Sequence, residues 1–163
     1  MDSTLTEPPT HPGREISITF EAWVRRDLLR GEWVKQATGD SIYVMVKPEH
    51  PVRPLPIGDL DSFLDFKQVL DMHLCREVRE FPLYLVLGEA DDVCEVGWSY
   101  LIVDSSAGHD PYKWSTNGRG KKPFDAFCCA LKTAPATAKV SIDLKMDKPM
   151  DASLPEPEVV RAL

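Results

Sequence analysis

The stretch Phe81–Val103 constrains this chain more than any other. It holds two apolar runs, Phe81-Pro82-Leu83-Tyr84-Leu85-Val86-Leu87 and Val93-Cys94-Glu95-Val96-Gly97-Trp98-Ser99-Tyr100-Leu101-Ile102-Val103, parted by Gly88-Glu89-Ala90-Asp91-Asp92. In the first run both alternate sets of side chains are apolar, the pattern of a strand covered on both faces. In the second, Cys94, Val96, Trp98, Tyr100 and Ile102 line one face, while Glu95, Gly97 and Ser99 open the other. The pair reads as the central hairpin of a sheet, with Cys94 packed in the core. Nothing in it has the form of a catalytic site.

The flanking pattern supplies the rest of a fold. Ile16–Arg25 alternates with period two and predicts a first strand. Trp33-Val34 and Ser41–Val46 predict a second hairpin turning at Thr38-Gly39-Asp40. Pro48, Pro51, Pro54 and Pro56 make the following segment an extended loop. Leu60, Phe63, Leu64, Phe66, Leu70 and Leu74 recur at helical spacing, with Asp59 or Asp61 as the cap and Arg76 and Arg79 near the end to suit the dipole. A polar loop spans Asp104–Lys122. Pro123 then opens a short helix in which Phe124, Phe127, Cys128 and Leu131 share a face. Ala138–Met146 alternates again and closes the fold as a strand. Long strands with two helices predict an α+β fold, an antiparallel sheet packed with those helices. Residues 1–14, with Pro8, Pro9 and Pro12 and little to bury, read as a disordered arm; 15–147 form one globular domain; 148–163 read as a flexible acidic tail.

Composition removes several classes. Four cysteines without regular spacing, two of them the vicinal pair Cys128-Cys129, do not make a disulfide framework and favour a reducing compartment. No segment has the form of a signal peptide, and no apolar run approaches the roughly 20 residues of a membrane span. The chain is therefore read as not secreted, with only peripheral membrane contact. A formal charge of −7 opposes wholesale coating of RNA or anionic lipid. Local basic clusters remain as candidate RNA or lipid phosphate contacts: Arg25, Arg26, Arg30 and Lys35, then Arg119, Lys121 and Lys122. The competing account makes them solvated faces.

Candidate chemistry is sparse. His73, Cys75, Cys94, His109, Cys128 and Cys129 are metal-ligand types without paired spacing, and His73 and Cys75 point to different helix faces. A Cys94–His109 nucleophile pair, as in a small cysteine protease, conflicts with a cysteine inside a strand, where nothing lowers its pKa. Asp59, Asp61 and Asp65 lack the glycine turn of a calcium loop. The reading is no catalytic residue, no metal, no cofactor and no enzyme. Asn117-Gly118-Arg119-Gly120-Lys121-Lys122 lacks the Ser or Thr of a phosphate-binding loop but could touch phosphates as a flexible basic loop. Pro9-Thr10-His11-Pro12 has the form of a late-domain-like motif, an extended segment that a partner groove captures, or belongs to a plain disordered arm. Tyr112 and Trp114, interleaved with Lys113, either enter a membrane interface or partner pocket or fold back onto the core.

Taken in order, these pieces resemble the matrix protein of rhabdoviruses of the vesicular stomatitis type. The resemblance runs through a Pro-bearing arm, a long first strand at Ile16–Arg26 and a helix at Leu60–Leu74. It continues through Arg79-Glu80-Phe81-Pro82-Leu83-Tyr84-Leu85-Val86-Leu87-Gly88, Cys94-Glu95-Val96-Gly97-Trp98-Ser99-Tyr100-Leu101, Lys122-Pro123-Phe124 and the alternating strand Lys139–Asp147. The family's arm is Lys-rich and carries Pro-Pro-x-Tyr; here the arm is acidic, and His11 follows Pro8-Pro9-Thr10. The resemblance implies a structural virion protein that self-associates, condenses the ribonucleoprotein and links it to the envelope during assembly and budding. Its implied partners are itself, the viral nucleocapsid, the inner leaflet of the membrane and host budding machinery. The implied location is the virion, the host cytoplasm and the inner face of the host membrane. The alternative expectation is a viral host-interaction protein, a suppressor of innate or RNA-silencing defence that acts by binding.

Overall fold

The computed structural model describes residues 14–49, 52–57, 62–105 and 111–149. Strand β1 (Arg14–Arg25) alternates buried and outward residues along its length, with Ile16, Ile18, Phe20, Ala22 and Val24 all turned into the core. It pairs in parallel with β6 (Lys139–Met146), which runs antiparallel to β4 (Val96–Asp104), which runs antiparallel to β5 (Tyr112–Gly118). The other side of the sheet is short: β2 (Tyr43–Val46) pairs with the end of β1, and β3 (Leu55–Ile57) with its start. The order across the sheet is β2-β1-β6-β4-β5.

Three helices, α1 (Phe63–Glu77), α2 (Leu83–Asp92) and α3 (Lys121–Thr133), bury their apolar sides against one face. Val140, Ile142 and Leu144 of β6 and Val96, Trp98, Tyr100 and Ile102 of β4 complete that core. An aromatic stack runs through it, Phe66 to Phe124 at 5.4 Å and Tyr100 to Phe127 at 4.7 Å between ring centres. The other face of the sheet is polar, because strict period two sends the hydroxyl, amide and charged side chains there. Its register lines up Ser17, Ser141, Leu101 and Ser115 in one row and Thr19, Asp143, Ser99 and Asn117 in the next. The Thr19 hydroxyl donates to Asp143 Oδ1 at 2.6 Å.

The α+β class stands, with the parallel β1–β6 pair and a third helix as departures. The segment expected to form the first arm of the central hairpin is α2, so there is no Phe81–Val103 hairpin. Leu83, Leu87 and Ala90 are its buried residues, one helical face at i, i+4 and i+7, and Gly88–Asp92 continue the helix instead of turning. The Arg79–Gly88 piece of the family resemblance is consequently loop and helix, not strand. Trp33-Val34 lie in a 3-10 helix, Gly31–Gln36, and β2 takes β1 as its partner. The loop read at Asp104–Lys122 contains β5. The cap of α1 is Ser62, whose hydroxyl accepts the Asp65 N–H at 3.0 Å; Asp59 and Asp61 lie outside the described residues. Gly118 (φ 155°) leaves β5 beneath the α3 proline: a Cβ there would sit 3.2 Å from Pro123 Cγ.

Candidate functional site

Most of the predicted basic residues are engaged in holding the chain. Arg26 donates to the carbonyls of Ser41, Ala37, Thr38 and Gly39, closing the turn before β2. Arg30 donates to the carbonyls of Asp27 and Leu29. Arg25 pairs with Asp27 at 2.8 Å, and Lys35 lies 3.9 Å from Glu32. Arg119 grips both oxygens of Asp147 at 2.8 Å each and also donates to the Cys94 carbonyl. That fork ties the α2–β4 turn, the β5–α3 connection and the end of β6 together, and it holds the Asp147 carboxyl below its ordinary range. Lys121 reaches Asp125 at 3.5 Å, and Lys122 is exposed beside it. One cluster lies around the β1–β2 turn and the other at the β5–α3 connection and the start of α3.

Tyr112 and Trp114 are half-buried and fold back onto the core, where the Trp114 ring lies 6.4 Å from Phe127. Their strand turns them toward the helices and leaves Lys113, Ser115 and Asn117 on the open face. The Pro9–Pro12 motif, His109 and most of both arms lie outside the described residues.

Cys94 is not a core residue. It is exposed, with φ of 59°, at the end of α2. Its N–H donates to the Asp91 carbonyl and the Glu95 N–H to the Ala90 carbonyl, the pair of bonds that closes a helix through a left-handed residue. Cys128 is half-buried, and burial pushes its thiol up to about 11, so it stays protonated at neutral pH. His73 is buried with a ring nitrogen 2.6 Å from the Arg53 carbonyl, while Cys75 faces outward. Among the described residues no three His, Cys, Asp or Glu side chains gather where they could hold a metal ion, and no helix is long and apolar enough to cross a membrane.

Two surface features escaped the sequence reading. The outer face of α1 carries Leu64 (64% exposed), Val69 and Met72 (60% exposed), opposite the buried Phe63, Phe66, Leu70 and Leu74. A helical wheel separates the two sets, but counting Leu64 with the core residues hid the second. The other feature is a cleft of about 220 Å³ around Trp33, Glu32, Glu49, Glu77 and Glu80. Trp33 donates its indole N–H to Glu80 and packs edge-on against Phe81. Its acids come from three distant segments, so sequence spacing carries no trace of it.

A buried polar tie joins the elements behind these surfaces. Lys67 of α1 lies 2.6 Å from Asp91 of α2, whose side chain is 6% exposed, and Trp98 of β4 donates its indole N–H to the same carboxylate at 2.8 Å. The Tyr100 hydroxyl, fully buried nearby in sequence, has no hydrogen-bond partner among the described residues, and burial raises its pKa. Comparison of the chain with protein-family models, with curated proteins and with solved structures found no match.

Proposed function

We propose that this chain is a matrix-type assembly protein of a virion, one that self-associates, condenses the ribonucleoprotein and links it to the inner face of the envelope. The observation that carries this reading is the outer face of α1. Leu64, Val69 and Met72 stand in water on a well-capped helix whose other side is fully used by the core. Three large apolar side chains left exposed on one side of a helix are candidates for a contact surface. Lys121 and Lys122 at the start of α3 add a local positive patch for phosphates of RNA or of inner-leaflet lipid. Contacts of this kind are individually weak, and many copies acting together supply the avidity a scaffold needs. The ordered resemblance of the first strand, the Cys94–Leu101 piece, Lys122-Pro123-Phe124 and Lys139–Asp147 supports the same reading. Host budding machinery would dock at Pro9–Pro12.

Sedimentation of the full chain with purified nucleocapsids, and with vesicles containing anionic lipid, tests it. Salt-sensitive self-association and co-pelleting are expected. A chain that stays monomeric and ignores both nucleocapsids and vesicles sinks the reading. The Trp33 cleft favours a second reading, a host-interaction protein, because four carboxylates beside an indole suit a cationic side chain of a partner. Stable one-to-one capture of a host protein without polymerisation would select it.

A further inference from the structure

We infer that β5 is a self-pairing edge: two copies of this chain join antiparallel along Tyr112–Gly118, about a two-fold axis through Ser115, and make one continuous sheet. The two ends of the sheet differ in how they meet solvent. At one end β2 has four residues and β3 three, with Pro56 inside β3. Short strands and prolines are the usual protection of an edge. At the other end β5 has seven residues, no proline and a single charge, Lys113. Among the described residues nothing pairs with its outer side. Such an edge presents a row of N–H and C=O groups that is a ready template for another strand.

The pleat and the symmetry select the partner and the register. Successive residues of a strand direct their backbone groups alternately to its two sides. Across a two-fold axis, paired residue numbers must therefore sum to an even number, and one residue must face its own copy. Of these registers, the one through Ser115 uses the whole strand. It sets Tyr112 opposite Gly118, Lys113 opposite Asn117 and Trp114 opposite Thr116. The only charge meets an amide instead of a second lysine, and the aromatic ring meets a β-branched side chain, a favourable cross-strand pair. An axis perpendicular to the sheet keeps the helices of both copies on one side and both polar faces on the other. The strand is thus complementary to itself.

This deepens the assembly reading by giving self-association a contact, and it is tested without nucleocapsid or lipid. Sedimentation equilibrium of the full chain is run for the wild type, Ser115→Glu, Ser115→Lys and an equimolar mixture of the two. Ser115 is exposed on the open face, and unchanged circular dichroism and melting confirm that each variant folds. The wild type is expected to dimerise. Each single variant, with like charges directly opposed, should weaken the dimer at least about tenfold, and the mixture should restore it. Asn117→Glu, opposite Lys113 of the second copy, should tighten it. A wild type that is monomeric at every concentration overturns the inference, as do dimers indifferent to both Ser115 variants or a mixture without rescue. Capture of a foreign strand by a monomeric chain overturns it too. A dimer that behaves as described yet ignores nucleocapsids and vesicles removes the assembly reading and leaves this interface standing; a monomer that pellets with nucleocapsids does the reverse.

Discussion

Cys94 holds a φ of 59° where glycine is the common choice, because α2 closes through a left-handed residue before β4 begins. A Cβ in that conformation costs about 1 kcal/mol. Cys94→Gly should therefore raise stability by about that amount, read as a higher denaturant midpoint at constant slope, and the Arg119 contact survives because it uses the backbone carbonyl. The alternation through Val96, Trp98 and Tyr100 was legible, but its extension back to Cys94 was not justified: the thiol fits the apolar pattern while the backbone leaves it. Asp71 is governed by a different balance. Burial raises its carboxyl above the ordinary 3.8, against the favourable pull of Lys67, and Asp92 and Asp91 add to the rise. The folded state then holds the Asp71 proton more tightly than the unfolded chain. Its ionisation costs stability as pH climbs through the raised value. Asp71→Asn should be more stable than wild type at pH 7, and the gain should shrink on acidification and vanish once both states are protonated. Thermal melts between pH 3 and pH 7 check this; a gain independent of pH would refute it.

At the scale of elements, one carboxylate links three of them. Asp91 on α2 receives Lys67 from α1 and the Trp98 indole from β4, while the Lys67 ammonium also lies 5.1 Å above the Phe63 ring. Removing the ammonium leaves a nearly buried charge with one remaining partner. Lys67→Met should cost about 3 kcal/mol, and Lys67→Met with Asp91→Asn should recover most of it, since the amide oxygen still accepts from Trp98. Chemical denaturation of the single and double variants measures the coupling. The same tie marks what the local pattern of α2 leaves open. Phe81–Leu87 is apolar at every position, so a strand covered on both faces and a helix leave the same trace. What decides for a helix is the continuation to Asp92, where Ala90 meets the core and Asp91 meets Lys67. The β5 error ran the other way. Tyr112, Trp114 and Thr116 alternate with Lys113, Ser115 and Asn117, a true period of two, but its polarity and flanking glycines made it read as loop.

For the whole molecule, stability and assembly are separable if the outer face of α1 is a contact surface. Leu64 and Met72 do not touch the core, so Leu64→Asp with Met72→Asp should change the folding free energy by no more than about 1 kcal/mol. The same double variant should lose co-pelleting with nucleocapsids, and retention of full pelleting would remove α1 from the proposed interface. The sequence by itself determined the period-two strands β1, β4 and β6, the Phe63, Phe66, Leu70 and Leu74 side of α1, the core face of α3, and the α+β class, because each follows from local alternation or helical spacing. Only the tertiary structure decided that α2 is a helix, that β1 and β6 run in parallel, and that four glutamates line one cleft with Trp33. These depend on partners far along the chain, and local periodicity carries no information about them. The same holds for exposure: spacing names the residues that share a face, and only packing shows which face is left in water.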